Sequence, residues 1–135
     1  MTLDDIYWID LQSNTDSRGV LTSIEANKDI PFEIKRVFYM HNVLDDRAAH
    51  AHPDTDQVVI AAAGSFKMTA SDGKNKQSYE MNDPSRGLYV PHMVFIELTN
   101  FTPGAVCLVL ANTHYEYAKV IRTWDEYLQQ LYTQL

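Results

Sequence analysis

The sequence predicts an all-β fold followed by one short α-helix near its C-terminal end. Runs rich in β-branched and aromatic residues recur along most of the 135 residues, and these residue types favour strands. Turn-forming residues separate the runs at short intervals, as in an antiparallel β protein. After Tyr115 the spacing of apolar residues changes from the period of a strand to that of a helix. Together these observations predict about nine to eleven short strands and one helix.

Three strands are predicted in the first third of the chain. They are "IYWIDL" over residues 6–11, "GVLTSIE" over 19–25 and "EIKRVFYMHNV" over 33–43. The intervening "SNTDSRG" and "NKDIP" are rich in residues that favour turns. We therefore expect strands joined by irregular turns in this part of the chain.

The middle of the chain continues with further strands. After "RAAHAH", the segment "PDTD" predicts a turn and "QVVIAAA" predicts a buried strand. In "SFKMTAS" the residues Phe66, Met68 and Ala70 alternate with polar neighbours, and Asp72-Gly73 predicts a tight hairpin into "KQSYEM". The segments "LYVP", "HMVFIEL" and "AVCLVLA" supply the last strands.

The helix is predicted from Tyr115 onward. Thr113-x-x-Glu116 has the spacing of a capping box, in which each side chain satisfies a backbone donor of the first turn. Large apolar residues then follow at helical spacing, namely Tyr117, Val120, Ile121, Trp124, Leu128 and Leu131. Such a stripe indicates an amphipathic helix that packs on the sheets.

Composition and charge exclude several classes of function. The chain has no apolar run near the ~20 residues that cross a bilayer and no charged-then-apolar leader at Met1, so we expect one cytoplasmic domain over residues 1–135. The net charge of −7 with 11 Lys and Arg residues argues against nucleic-acid binding, but a few arginines suffice for a small anion. Cys107, the single cysteine, lies in an apolar run and is expected in the core.

Two histidines stand one residue apart in "AAHAHPDTDQVVIAAAG", residues 48–64. Alternate residues of a strand share a face, so His50 and His52 are expected on one side, with Ala49 and Ala51 on the other. The spacing H-x-H-x4-Q-x6-G, ending at Gly64, is that of the first cupin motif with Gln57 at the usual glutamate. The fold predicted is thus a cupin, a double-stranded β-helix or jelly roll.

The second cupin motif is altered in the residues that would bind a metal. "PHMVFIELTN" keeps Pro91 and Asn100 but has Met93 at the motif's glycine and Ile96 at its histidine. Two imidazoles with a neutral amide make a poor metal site, so we predict no metal and no cofactor. Imidazole can instead move a proton at a carbon beside a carbonyl, with a donor such as Arg47 or Tyr39 stabilising the enediolate oxygen.

The chain resembles the WxcM-like cupins that act as dTDP-4-keto-6-deoxyglucose 3,4-ketoisomerases. The resemblance runs through "SRGVLTSIEANKDIPFEIKRVFYM", "HAH…Q", "PSRGLYVPHMVFIEL" and "IRTWDEYL", and covers nearly all residues. It implies a metal-free jelly-roll homodimer, often with exchanged N-terminal strands. It also implies an enzyme that moves a keto group between C4 and C3 of a dTDP-linked 4-keto-6-deoxyhexose, on the way to amino sugars of surface glycans.

The resemblance also implies roles for particular residues. His52 is expected as base or acid and His50 as its partner, with Tyr39 and Arg47 as oxygen-stabilising donors. Ile96 stands where the family has histidine or arginine, which bears on substrate choice or activity. Adjacent strand residues face opposite ways, so Glu97 is expected to point outward as a structural or an interface residue. Candidates for contact with the nucleotide sugar, some of which could equally pack in the barrel, are Arg18, Arg36, Gln57, Arg86, Tyr89 and Ile96.

Other functions remain open on the sequence alone. The chain could be a dTDP-sugar-binding cupin without catalysis, or a metal-dependent cupin enzyme that uses His50, His52 and Gln57. Neither the spacing nor the resemblance tells whether the product has the galacto or the gluco configuration. That outcome depends on the face of the enediol that receives the proton.

Overall fold

The structure is a computed structural model that describes residues 2–133, with the side chain of Ala48 left undescribed. Eleven strands and one α-helix are found in these residues, and two short 3-10 turns occur at Leu3–Asp5 and Tyr117–Lys119. The strands are β1 Tyr7–Asp10, β2 Gln12–Asp16, β3 Gly19–Ser23, β4 Arg36–Met40, β5 Arg47–His50, β6 Gln57–Ala63, β7 Phe66–Ser71, β8 Lys76–Met81, β9 Arg86–Val90, β10 Phe95–Thr99 and β11 Val106–Ala111, and the helix is α1 Trp124–Thr133. The all-β prediction with a C-terminal helix is confirmed.

Two antiparallel sheets form the frame of the jelly roll. One has the strand order β1-β9-β6-β11-β4 and the other the order β5-β10-β7-β8. Consecutive strands seldom pair, because the chain crosses from one sheet to the other as it winds. The main core fills the frame with residues contributed by both sheets, among them Val59, Phe66, Met68, Leu88 and Val109.

Alternation along β6 shows how one strand serves two cores. Val59 and Ala61 belong to the main core. Val58 and Ile60 point to the opposite face, where a second cluster with Phe32 covers them. Both faces of β6 are therefore buried, which explains why "QVVIAAA" reads as a continuous apolar run.

The N-terminal region departs from the prediction. "SNTDSRG" is for the most part strand β2, which pairs residue by residue with β3 from Gln12–Ser23 to Asp16–Gly19. Only the two residues between these strands make the turn. Within residues 2–133 this hairpin pairs with no other strand, and it leaves Val20 and Leu21 60% and 64% exposed.

The helix begins nine residues later than predicted. Thr123, rather than Thr113, caps it, since the Thr123 hydroxyl accepts from Glu126 N at 3.2 Å. Thr113 instead contacts the Thr55 hydroxyl at 2.6 Å, and Ile121 forms a bridge with Ala51. Residues 113–122, which we call the strap, thus cross the β frame in an irregular path because these tertiary contacts replace α-helical hydrogen bonds.

Two expectations about individual segments are also met. Cys107 is fully buried, and burial raises the pKa of its thiol to about 12, so it is an inert core residue. In the described part of the chain, no helix is long and apolar enough to cross a bilayer.

Candidate active site

A cavity of about 700 Å³ opens where β4, β5 and the strap meet. Both histidines of the "HAH" segment line this cavity. Its lining combines aromatic and aliphatic side chains with three guanidinium groups. The lining residues are Arg36, Phe38, Met40, Asp46, Arg47, Ala49, His50, His52, Tyr115, Val120 and Arg122.

The two imidazoles lie together at the end of β5. Their ring centroids are 5.1 Å apart with planes at 89°, so the edge of one ring meets the face of the other. Ala51, which lies between them in the sequence, is fully buried. It exchanges two backbone hydrogen bonds of 2.9 Å with Ile121. As predicted, the alanine faces away while both histidines face the cavity.

The backbone of His52 is held from a second side by Met93. Met93 N donates to His52 O at 2.8 Å, and Met93 O accepts from the Tyr127 hydroxyl of α1 at 2.7 Å. Met93 stands at the glycine of the cupin motif and adopts φ +62°, a region that costs a non-glycine residue ~1–3 kcal/mol. These two hydrogen bonds and the burial of its side chain keep Met93 in that conformation.

His52 is neutral near neutral pH. Burial lowers its pKa to about 4, and the nearby His50 and Arg36 add to the effect, whereas the Asp54 carboxylate opposes it. A neutral imidazole has a free lone pair and can accept a proton. The environment of His52 therefore suits a base at the start of a reaction.

Three arginines face the same cavity. The guanidinium of Arg36 lies between two rings, 4.6 Å from the Phe38 centroid and 4.9 Å from that of Tyr115, and burial lowers its pKa. Arg122 lies 3.7 Å over the Tyr117 ring and donates to the carbonyl oxygens of Tyr117 and Val120 at 2.9 and 3.1 Å. In residues 2–133, no carboxylate makes an ion pair with the arginines of this cavity.

Tyr39 does not reach the histidines. On β4 the side chains of Arg36, Phe38 and Met40 line the cavity, so Tyr39 points to the other face and is 61% exposed. Its ring lies 5.5 Å from that of His41 instead. The two-residue period of a strand places Arg36 and Tyr39 on opposite faces, so the sequence already argued against both serving one cavity.

Three other candidates also lie away from the cavity. Arg18 forms an exposed pair with Asp16 at 2.7 Å. Arg86 lies over the Trp8 ring at 4.3 Å and near Asp10 at 3.3 Å. Tyr89 stacks on Tyr7 at 4.9 Å, because its neighbours Leu88 and Val90 occupy the inner face of β9. For Tyr89, the packing alternative is the one that the structure supports.

Gln57 and Ile96 are buried beside the site rather than exposed in it. Ile96 is opposite His50 in the β10–β5 ladder, so the two side chains share a face, and Ile96 is 4% exposed within the main core. Gln57 is 3% exposed, and its Nε2 has no hydrogen-bond partner in the described residues. Glu97 points outward and lines a shallow groove below Trp124, as expected.

The residues present do not fit a bound metal. Among residues 2–133 no three His, Cys, Asp or Glu side chains cluster closely enough to hold an ion. The carboxylate and third imidazole of a metal cupin are the amide of Gln57 and the alkyl group of Ile96. The site chemistry is therefore that of imidazole and guanidinium groups.

Sequence reasoning missed Tyr115 and Arg122 of the strap. The predicted helix begins at Tyr115, and the prediction gives neither Tyr115 nor Arg122 a role in the site. The signal available was the run "IRTWDEYL", which the resemblance includes without assigning a residue role. An arginine two residues before the helix, rather than within it, is placed by the irregular strap and not by helical periodicity.

Comparison with known sequences identifies the family. Residues 4–132 match the sequence model of the family described as "FdtA: WxcM-like, C-terminal". The chain belongs to this family. It is 37% identical over 121 residues, 88% of this chain and 87% of the relative, to the TDP-4-oxo-6-deoxy-α-D-glucose-3,4-oxoisomerase of Aneurinibacillus thermoaerophilus.

Solved structures of the FdtA family share the fold over nearly the whole chain. The QdtA sugar 3,4-ketoisomerase of Thermoanaerobacterium thermosaccharolyticum, in complex with TDP, superposes with a TM-score of 0.93 and 38% identity, covering 98% of both chains. The WlaRB TDP-quinovose 3,4-ketoisomerase of Campylobacter jejuni gives 0.89 and 40%, covering 94% of this chain and 99% of that one. A histidine-to-asparagine variant of QdtA was solved in complex with TDP-4-keto-6-deoxyglucose.

Proposed function

We propose that this protein is a dTDP-sugar 3,4-ketoisomerase that converts dTDP-4-keto-6-deoxyglucose to a dTDP-3-keto-6-deoxyhexose for deoxyamino-sugar and surface-glycan synthesis. The observation that carries the proposal is one cavity that holds a pair of histidines and three arginines, none of which pairs with a carboxylate in residues 2–133. Imidazoles supply proton transfer, and guanidinium groups bind diphosphate oxygens through paired hydrogen bonds. Relatives named for this reaction share the fold over nearly the whole chain.

The reaction needs one proton removed and one returned. Neutral His52 takes the proton from C3 of the 4-keto sugar, and the electrons of the C–H bond form the C3–C4 double bond of an enediolate. The C4 oxygen takes up the charge of the former carbonyl. The proton of the C3 hydroxyl passes to the C4 oxygen, and a proton delivered to C4 then gives the 3-keto isomer with the same atoms. His50, beside His52, is the second proton carrier.

The arginines divide between the reacting sugar and the nucleotide. Arg47 precedes His50 on the same strand, so its guanidinium is the donor that we assign to the enediolate oxygen. Arg36 and Arg122 approach from β4 and the strap, and we assign them to the diphosphate. Tyr115 offers an exposed aromatic face for the thymine. Tyr39 has no role in the cavity of its own chain.

The protein is proposed to act as a homodimer with exchanged N-terminal strands. The β2–β3 hairpin is isolated and exposes Val20 and Leu21, and a two-stranded hairpin alone is only marginally stable. The edge strand β4 also exposes Val37 and Tyr39. Arg18 lies at the turn of this hairpin and would approach a second copy. Light scattering should give a dimer, and the V20D/L21D variant should give a monomer.

We place the protein in the cytoplasm as one cupin domain. Its single cysteine, Cys107, is free and buried, as is common in a reducing compartment where disulfides are rare. Secretion would be supported instead by finding the protein outside the cytoplasmic fraction of cells that express it with its own N-terminus.

The experiment that tests the function is an NMR assay of metal-stripped protein with dTDP-4-keto-6-deoxyglucose. We expect the 3-keto isomer to form, and its C4 coupling constants distinguish the galacto from the gluco product. His52→Asn should lower kcat by about 10²- to 10⁴-fold, the usual contribution of a general acid or base. An unchanged substrate in the presence of folded, dTDP-binding wild-type protein would replace the isomerase with a sugar-nucleotide-binding module.

A further inference from the structure

The strap is joined to the histidine segment at three points. At its start, the hydroxyl groups of Thr113 and Thr55 are 2.6 Å apart. At its end, Ile121 and Ala51 exchange backbone hydrogen bonds of 2.9 Å. Between these, Lys119 Nζ donates to Asp54 Oδ2 at 3.1 Å. The strap and the segment that carries His52 therefore lie side by side.

The Lys119–Asp54 contact differs from the other two because both of its side chains reach water. Their side chains are 49% and 46% exposed, whereas Thr55 and Ala51 are buried. An exposed ion pair contributes little to folding stability. The pair is nevertheless well held, since Lys119 also approaches Glu116 at 3.3 Å and Asp54 Oδ1 accepts from the Thr55 hydroxyl at 3.2 Å.

The position of the pair gives it a second consequence. Asp54 lies two residues after His52, and Lys119 lies three residues before Arg122. Neither Lys119 nor Asp54 is among the residues that line the main cavity. Both line a small recess that shares Arg36, His52 and Tyr115 with the cavity, so they adjoin the site without lining the cavity itself.

We propose that Lys119 and Asp54 are positioning residues for the proposed ketoisomerase reaction, whose ion pair holds Tyr115 and Arg122 of the strap against the segment that carries His52. The inference rests on the proposed function. Without the pair, the strap keeps its contacts at the two ends and the Arg36–Tyr115 contact, but it loses the ion pair that joins its middle to Asp54. Tyr115 and Arg122 then sample more positions. Binding of the nucleotide sugar has to order them, and this entropic cost weakens its affinity.

The same pair sets part of the electrostatic field at His52. Asp54 favours the protonated imidazole, and the Lys119 ammonium offsets that carboxylate. Removing Lys119 alone leaves the Asp54 charge unopposed and should raise the pKa of His52. Other charged and titratable groups also face His52 or line the cavity or the adjoining recess. They are His50 and Arg47 on β5, Asp46 before β5, Arg36 on β4, and His114, Tyr115, Glu116 and Arg122 of the strap.

The test compares three variants of the full-length protein. Lys119→Met removes the ammonium, and the double variant D54N/K119M removes both charges while keeping the shape of Asp54. Lys28→Met is the control, because Lys28 makes a similarly exposed ion pair with Glu25 at 2.9 Å and lines neither recess at the site. The measurements are KM and kcat, the Tm, and the titration of the His52 ring protons by NMR, with His52→Asn used to assign the signal.

We expect K119M to raise KM about fivefold, as the strap loses its central attachment. The His52 titration midpoint should rise by about half a pH unit in K119M and return toward the wild-type value in the double variant. K28M should change neither. The Tm of every variant should stay within about 3 °C of wild type, because the pairs are exposed.

An unchanged His52 titration and an unchanged KM in K119M would overturn the proposal. So would a large fall in Tm with the His52 titration unmoved, since it would make the pair structural only. The NMR titration uses no substrate. It therefore reports on the Lys119–Asp54 pair even where the wild-type protein does not isomerise the sugar, an outcome that would count against the proposed function instead.

Discussion

Arginines of the cavity and arginines of the outer surface of this protein differ in their partners. Arg18 and Arg86 lie near carboxylates, at 2.7 Å from Asp16 and 3.3 Å from Asp10. Arg36 and Arg122 lie on aromatic rings, and no carboxylate in residues 2–133 pairs with them. The first two charges are already neutralised, whereas the second two are available to an anion. The type of partner thus separates Arg36 from Arg18 and Arg86, which the sequence offers as equal candidates for binding the nucleotide sugar.

The aromatic rings explain how the cavity keeps unpaired guanidinium groups. A cation over a ring face gains some attraction without losing its hydrogen-bond donors. Arg36 is held between Phe38 and Tyr115, and burial lowers its pKa, so an anion in the cavity would stabilise its charge. We expect the diphosphate of the proposed substrate to be that anion.

The largest expected effect comes from removing one of these unpaired charges. Arg36→Met or Arg122→Met should weaken dTDP binding by about 100-fold, since a hydrogen bond to a charged group contributes ~1.5–3 kcal/mol. Arg86→Met is the matched control and should change binding less than twofold, because its guanidinium is placed on Trp8 and Asp10. Isothermal titration with dTDP measures all three. Equal losses of dTDP affinity in Arg36→Met and Arg86→Met would contradict the distinction between paired and unpaired arginines.

The next effect concerns stability and pH. Because burial lowers the pKa of His52 to about 4, the unfolded chain binds this proton below its ordinary pKa of about 6.5 while the folded protein does not. The wild-type protein should therefore lose on the order of 2 kcal/mol of unfolding free energy as pH falls from about 6.5 to about 4. Urea denaturation across this range measures the loss.

His52→Asn is the control for this pH dependence. The variant lacks the titrating group, so its unfolding free energy should fall less steeply between the same two pH values. Comparing slopes rather than absolute stabilities removes any uniform cost of the substitution. Identical slopes would show that His52 titrates in the folded protein near its ordinary pKa.

The smallest effect separates two tyrosines that the site could use. Tyr115→Leu should weaken dTDP binding about fivefold, because it removes the ring that contacts Arg36 and the aromatic face assigned to thymine. Tyr39→Leu should leave the affinity unchanged within about twofold, because the Tyr39 side chain is exposed and does not line the cavity. The same titration measures both. A stronger loss at Tyr39 than at Tyr115 would place Tyr39 in a cavity, most simply that of a second copy.

Much of the fold was predictable because it depends on local patterns. Strand alternation in "SFKMTAS", the Asp72-Gly73 turn and the apolar run "QVVIAAA" all appear where the sequence places them. The prediction was wrong where tertiary contacts override local preference. Most of "SNTDSRG" forms a strand because it pairs with β3, and residues 115–123 are not α-helical because Ile121 pairs with Ala51 instead.

The candidate site shows the same division. The spacing of the two histidines predicted a shared face, and Ala51 is buried on the other side as expected. The partners of Arg18 and Arg86 could not be read from the sequence, because Asp10 and Arg86 meet only through the pairing of β1 with β9. Arg122 was missed for a related reason, since the apolar spacing predicts a helix there, whereas the bridge between Ile121 and Ala51 holds the strap in an irregular path.

The most direct test of the account is the fate of the C3 proton of dTDP-4-keto-6-deoxyglucose in D2O. With wild-type protein we predict loss of the C3–H signal by proton NMR, together with appearance of the 3-keto isomer. With His52→Asn the signal should persist at least about 100 times longer, while dTDP still binds. Retention of the C3 proton with the folded, dTDP-binding wild-type protein would contradict the central claim that His52 acts as the base in this cavity.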